Sequence, residues 1–232
     1  MKAIILAAGK GERFGDITKI IPKPLIKLGE LSLIEHNILL LKKFGFTELV
    51  INVSYLSNMI IEYLGSGDKY KVNINYSIES PEPLETGGGI QNALPLLGNT
   101  PFLVINSDIY TNCKLSDIKI NDDDLASIVM VENPDHNIYG DFSLDNNRVT
   151  FSNKNNMTYS GIGIYRPEIF TNEKVKKYKL IDILEKQIKS NKISGLKHEG
   201  IWHDVGDVKK LKNVNNLFFN NWFPAFIFFN NF

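Results

Sequence analysis

"AIILAAGKGERFG", residues 3–15, decides how the chain is read. Residues 3–8 form a short apolar run stopped by glycine, the pattern of a buried strand. The run breaks into a glycine-rich, basic loop, where glycines let backbone N–H groups approach an anion. Three kinds of phosphate loop compete. A P-loop needs G-x-x-x-x-G-K-[ST], and the sequence has none. A dinucleotide fingerprint needs G-x-G-x-x-G, and Phe14 stands where the third glycine would allow close helix–strand packing. What remains is Gly9-x-Gly11-x-Arg13, followed ten residues after Arg13 by Lys23 in Pro22-Lys23-Pro24-Leu25. Arg13 offers a forked, permanently charged donor set suited to a polyphosphate. Lys23 is a point charge held between two prolines whose fixed φ limits wandering. Such a cation can stabilise charge while a phosphoryl group transfers.

Outward from the loop, apolar residues at helical spacing predict a helix over 33–44, with Gly45 as its stop. Strands are expected over 48–54 and 72–79, with a helix over 55–65 between them. A glycine-opened helix is expected over 87–97, disturbed by Pro95. A buried strand over 102–108 ends in Asp108. Strands alternating with helices over the first 110 residues predict βαβ units. The expected fold is α/β: a Rossmann-like, mixed, mostly parallel sheet flanked by helices. Beyond residue 110 the strand patterns at 125–132, 141–145, 148–152 and 159–165 have fewer helices between them. They predict a small antiparallel extension at the sheet edge, covering the site. An amphipathic helix is expected over 180–190. With no long linker, residues 1–216 read as one domain, with halves at about 1–110 and 111–216. In the tail, 217–232, eight of sixteen residues are aromatic, which reads as a terminal helix and extension packed on the core. It lacks the basic face that interfacial helices use.

Composition excludes several classes. The chain has 232 residues, 43% hydrophobic and 22% charged, enough to bury a sizeable core. Its formal net charge of zero gives no support to nucleic-acid binding. No uninterrupted apolar run reaches the roughly 18 residues of a spanning helix, so no membrane association is expected. The N-terminus enters a strand pattern directly, unlike a signal peptide. The lone Cys113 cannot form an internal disulfide, and a reducing cytoplasm is the expected compartment.

Asp108 ends a strand, and ligands of open α/β sheets bind outside the carboxyl ends of strands. A carboxylate there suits Mg²⁺, which takes oxygen ligands and bridges phosphates. Asp204, in "WHDVGD" (202–207), is the second candidate ligand, one from each half of the chain. The alternative for each is a cap or turn residue. Asp207 reads as a helix cap, and His203 is given no chemistry. "ETGGG" (85–89) reads as a flexible turn or as a close backbone approach to a ligand.

"LAAGKGERFG…KIIPKPLIKLG", with "EPLETGGGI" (82–90), "NSD" (106–108), "YSGIGIY" (159–165) and "WHDVGD", resembles the signature of the sugar-1-phosphate nucleotidyltransferases. The resemblance covers roughly residues 1–215, with the motifs in the family's order. Within the family it most resembles the N-acetylmuramate α-1-phosphate uridylyltransferases of peptidoglycan recycling, on the short length, "EPLETGGGI" and "NPDHNIYGDFSLD" (133–145). The family commonly has glycine between Asn and Asp in "NGD", where this chain has Ser107.

The resemblance implies transfer of a nucleotidyl group from UTP to a sugar 1-phosphate, dependent on Mg²⁺, with pyrophosphate leaving. It implies a nucleotide base near Leu6, Ala7, Gly9 and Gly87. Gly11, Arg13 and Lys23 would hold the phosphates, and Glu12 would lie with them on the nucleotide side. Asn106, Gly140, Asp141, Ser160 and Gly161 would face the sugar. Arg13, Lys23 and Asp108 would carry catalysis, and Asp108 with Asp204 would hold the metal. The nucleophile is already an anion, so the reaction needs no general base. A lactyl carboxylate on the sugar would be repelled by Asp141 and is expected to turn to solvent or to donors in residues 153–156. Glucose or mannose 1-phosphate with another nucleotide stays open, as does a non-catalytic binding paralogue. The length leaves no room for a long C-terminal domain, so a monomer or small homo-oligomer is expected.

Overall fold

The computed structural model describes residues 1–152, 156–171, 173 and 175–220, the last three without side chains. Its strands are β1 (Ala3–Leu6), β2 (Lys27–Leu28), β3 (Leu31–Ser32), β4 (Glu48–Val53), β5 (Asn73–Ile78), β6 (Phe102–Asn106) and β7 (Ile109–Thr111), then β8 (Ala126–Glu132), β9 (Ser143–Asp145), β10 (Arg148–Thr150), β11 (Met157–Tyr165), β12 (Ile193–Lys197) and β13 (Trp202–Asp204). The helices are α1 (Ile17–Ile20), α2 (Leu33–Lys43), α3 (Ser57–Leu64), α4 (Glu85–Leu97), α5 (Leu180–Lys189) and α6 (Val208–Asn220).

Among the described residues, one nine-stranded sheet runs in the order β5-β4-β1-β6-β11-β8-β12-β10-β9. β5, β4, β1 and β6 are parallel to their neighbours. All four residues of β1 are buried, as are five of the six in β4, because helices cover both faces there. Side chains alternate across β1. Ala3 and Ile5 join Ile34 and Ile38 of α2 and Ile60 and Leu64 of α3 on one face. Ile4 and Leu6 join Ile90 and Ala93 of α4 and Leu180 and Leu184 of α5 on the other. α2 begins with a capping box in which Ser32 N–H donates to Glu35 Oε2 at 2.9 Å.

The second half adds antiparallel strands at the β6 edge of the parallel group, as expected: β11 pairs directly with β6, antiparallel, and β8 follows antiparallel to β11. β12, not expected from the sequence, runs parallel to β8, and the β9–β10 hairpin completes that end of the sheet. Helix α4 starts at Glu85 rather than 87, so the three glycines lie inside its first turns, and it runs on through Pro95. The aromatic tail beyond residue 220, and residues 153–155, lie outside the described residues. Among the described residues no helix is long and apolar enough to cross a membrane.

The chain leaves β1 for β4 and β5 on one side, then crosses to β6 on the other. β1 is therefore where the strand order reverses, and a crevice opens there past the carboxyl ends of the strands. In register, Leu6 stands between Asn52 of β4 and Asn106 of β6.

Candidate active site

A cavity of 490 Å³ occupies that crevice. Its wall is built from Leu6 to Arg13, Lys23 and Pro24, Asn52, residues 82, 83, 85 and 86, Asn106 to Asp108, Lys177 and Gly206. Nearly all the nucleotide-side residues expected from the sequence therefore meet in one place.

The loop is shaped by its own hydrogen bonds. Gly11 sits at φ +68°, the left-handed region that glycine enters without strain. Phe14 N–H donates to the Gly11 carbonyl at 2.9 Å, closing a tight 3-10 turn over Glu12–Phe14. The Thr18 hydroxyl bonds the carbonyls of Gly11 (3.1 Å) and Gly15 (3.2 Å). Phe14, which breaks the dinucleotide pattern, is buried with Leu28, Leu33, Val205 and Val214. It anchors the loop to the far half of the chain, a role a glycine could not fill. Arg13 reaches the same way: a Cβ at Gly206 would stand 2.8 Å from its guanidinium.

Lys23 lies in a 3-10 turn, Lys23–Leu25, entered from Pro22. Its ammonium donates to Asp108 Oδ2 at 2.6 Å, and both side chains are largely covered, at 13% and 21% exposure. This ion pair joins the glycine-loop segment to the end of β6. Asp108 is held in turn through its backbone, whose carbonyl accepts from Val205 N–H at 2.8 Å.

Asp204 is placed by the β7–β13 ladder, in which it opposes Ile109. The Trp202 indole N–H anchors this ladder on the Ser160 carbonyl at 3.0 Å. The two aspartates are thus brought close across the β7–β13 ladder, but their side chains line different cavities. Asp204 faces a second one, of 660 Å³, together with His136, His203, Asp207 and Lys210. There it accepts from Lys210 Nζ at 2.6 Å, with His136 Nε2 at 3.3 Å. Asp207 accepts from Lys210 N–H at 2.8 Å as the expected cap of α6, and that bond is the main reason its carboxyl lies below the ordinary range. Burial pushes the His203 imidazole down.

Several expected contact residues are engaged inside the fold. Gly87 is buried outside the cavity wall, its N–H donating to the Tyr178 carbonyl at 3.0 Å and its Cα packed on the Tyr178 ring. Asp141 accepts from Tyr159 N–H at 2.8 Å and from the Asn137 amide at 3.1 Å. Ser160 is fully buried, and its hydroxyl accepts from Ile162 N–H at 3.3 Å. Gly161, at a bulge of β11 with φ +80°, leaves room for Asn106, whose Nδ2 would stand 2.6 Å from a Cβ there. Gly140 packs on Asn133 in the same way. Of the five expected sugar-side residues, Asn106 lines the first cavity; Ser160 is buried, and Gly140 and Asp141 are half-exposed, outside the walls of the two cavities described.

Sequence reasoning missed Asn52 and Glu79. Asn52 is a buried amide in an otherwise apolar strand, and Glu79 directly follows the edge strand β5. Burial raises the Glu79 carboxyl above its ordinary range, against the two hydrogen bonds it accepts. An amide inside a buried apolar run was the available signal.

The fold and this cavity define a nucleotidyltransferase, and the chain belongs to the nucleotidyl transferase family, whose model matches residues 2–220. It is 45% identical over 94% of its length, and 98% of the relative's, to the N-acetylmuramate alpha-1-phosphate uridylyltransferase of Neisseria meningitidis serogroup B. It is 30% identical to the D-glycero-alpha-D-manno-heptose 1-phosphate guanylyltransferase of Campylobacter jejuni, over 89% of this chain and 95% of that one. The same fold occurs in a crystal structure of a Bacillus anthracis protein, provisionally assigned as a glucose-1-phosphate thymidylyltransferase, with a TM-score of 0.83, 22% identity and 94% coverage of both chains.

Proposed function

We propose that the protein transfers the uridylyl group of UTP to N-acetylmuramate α-1-phosphate, giving the UDP-sugar and pyrophosphate. The observation that carries this reading is the Lys23–Asp108 pair at the mouth of β6, in one cavity with the glycine loop and Arg13. The sugar and the base rest on the 45% identity to the Neisseria enzyme.

Attack by the sugar phosphate oxygen on the α-phosphorus needs positioning and charge neutralisation. Backbone N–H groups of the loop meet the triphosphate, and Arg13 takes charge on the leaving pyrophosphate. Lys23, fixed by its prolines and by Asp108, steadies the α-phosphoryl group. The acceptor approaches from the side of the second cavity, whose wall carries Asp204. With both carboxylate oxygens of Asp141 engaged internally, its repulsion of a lactyl group is reduced.

The donor set fits Mg²⁺. Among the described residues no cluster of three or more His, Cys, Asp or Glu can hold a metal alone. One or two carboxylates completed by substrate phosphates is the manner in which Mg²⁺ is usually bound. Asp108, in the first cavity, would hold it, and Asp204 would join only by turning from the second cavity and Lys210; the ion would neutralise phosphate charge.

Pyrophosphate release, measured over a panel of nucleoside triphosphates and sugar 1-phosphates with and without chelator, tests the reading. The highest kcat/KM is expected for UTP with N-acetylmuramate 1-phosphate, and none with chelator in excess. A clear preference for glucose 1-phosphate would remove the sugar assignment and leave the transfer chemistry standing.

A further inference from the structure

Beneath the cavity a buried chain of hydrogen bonds ties its two walls together, and the transfer chemistry makes no use of it. Ala7 N–H donates to Asn52 Oδ1 at 2.7 Å. Asn52 Nδ2 donates to Glu79 Oε1 at 2.6 Å. Leu84 N–H donates to Glu79 Oε2 at 2.6 Å. Asn52 and Glu79 are 2% and 3% exposed. The direction of the chain is forced. A backbone N–H can only donate, so Asn52 turns its oxygen to Ala7 and has only its NH₂ left for the carboxylate.

The ends of this chain matter. Ala7 belongs to the glycine loop, while Leu84 directly precedes Glu85 and Thr86 of the opposite wall. With both side chains almost wholly buried, a wall that drifted would leave a donor or a carboxylate oxygen unmet, which costs more than the bond itself contributes. Gly89 is where α4 makes room for the chain: a Cβ there would overlap Glu79 Oε1 and stand 2.6 Å from Asn52 Nδ2. That accounts for one glycine of "ETGGG" without any contact to a ligand.

We propose that Asn52 and Glu79 are positioning residues that fix the spacing between the glycine loop and the 82–86 segment, and so set the affinity for the nucleoside triphosphate independently of the acceptor. The inference rests on the nucleotidyl-transfer reading.

The test compares four full-length chains: wild type, Glu79→Gln, Gly89→Ala and the double variant Asn52→Asp with Glu79→Gln. Glutamine at 79 keeps one acceptor for two donors, so one link opens. Alanine at 89 displaces the chain without removing any of its atoms. The double variant restores all three links and reverses only the middle one: Ala7 N–H donates to the carboxylate placed at 52, the amide NH₂ placed at 79 donates to that carboxylate's second oxygen, and Leu84 N–H donates to the amide oxygen at 79. UTP binding is measured by calorimetry without acceptor, alongside both KM values and the melting temperature. Glu79→Gln and Gly89→Ala are expected to weaken UTP binding about tenfold, with the acceptor KM within about twofold of wild type. The double variant is expected to return UTP binding to within about twofold. A purely structural role would lower the melting temperature and leave the UTP Kd unchanged in both variants, which would overturn the inference. So would a double variant no better than Glu79→Gln. Absence of UTP binding by the folded wild type would instead overturn the nucleotide reading on which the inference rests.

Discussion

The two halves of the chain contribute to one sheet but use their motif residues differently. In the first half the glycine loop, Lys23 and Asp108 present their polar groups to one cavity. In the second, Gly140, Asp141, Ser160 and Gly161 spend theirs on bulges, turns and bonds to neighbouring strands. Parallel strands end together at one edge, so whatever follows them converges there. Antiparallel strands end at alternate edges, and their special residues maintain registers and bulges instead. A motif can thus mark either a residue that meets a ligand or one that holds another residue in place.

The largest effect that can sharpen this contrast is at Asp108. Asp108→Asn keeps the shape and removes the charge that pairs with Lys23 and is proposed to hold the metal. Turnover is expected to fall roughly a hundredfold or more. Asp204→Asn, on the other side of the ladder, is expected to lose less, because its carboxylate faces the second cavity. Equal losses, followed as pyrophosphate release, would break the contrast between the halves.

Next come the loop cations. Lys23→Ala is expected to act chiefly on kcat and Arg13→Ala chiefly on the nucleotide KM, each by about tenfold or more. Arg13 is exposed, so its loss should leave the stability within about 0.5 kcal/mol of wild type. Wild-type kinetics in either variant would show the loop to be an ordinary turn.

Asp141→Ala should show the opposite signature. It strands Tyr159 N–H and leaves the Asn137 amide only the Thr158 hydroxyl, with an expected stability loss of about 1–3 kcal/mol in urea titration and a sugar-phosphate KM within about twofold of wild type. A tenfold rise in that KM at unchanged stability would return Asp141 to the binding surface.

The smallest effect is expected at Asp207, where loss of the α6 cap in Asp207→Ala should cost about 1 kcal/mol. The native carboxyl is held below its ordinary range, so its contribution is present at neutral pH and fades as pH falls from the ordinary carboxylate value through the lowered one. Melting temperatures of variant and wild type should therefore converge in acid.

Much of the fold was legible because the parallel strands carry continuous apolar runs. The patterns at 48–54, 72–79 and 102–108 correspond to β4, β5 and β6, with ends moved by one or two residues. β12, "ISGLK", escaped notice: five residues with a central glycine give no period to read. The place of β11 was not legible either, since pairing with β6 is a long-range choice that "YSGIGIY" does not encode locally. The loop, Lys23 and Asp108 could be read because charge and glycine spacing state their chemistry. Asn52 left one trace, an amide in a buried apolar run, but its pairing with Glu79 and the backbone partners of both are long-range contacts that the sequence does not state locally.

In the proposed reaction one bound phosphate attacks the other directly, with the protein supplying position and charge and no covalent nucleotidyl-enzyme. The stereochemical course at the α-phosphorus decides between this and a two-step route. With a UTP analogue chiral at the α-phosphorus through sulfur, a single in-line displacement predicts inversion in the UDP-sugar product, read by phosphorus NMR. Net retention would require two displacements and a protein nucleophile, and would contradict the account.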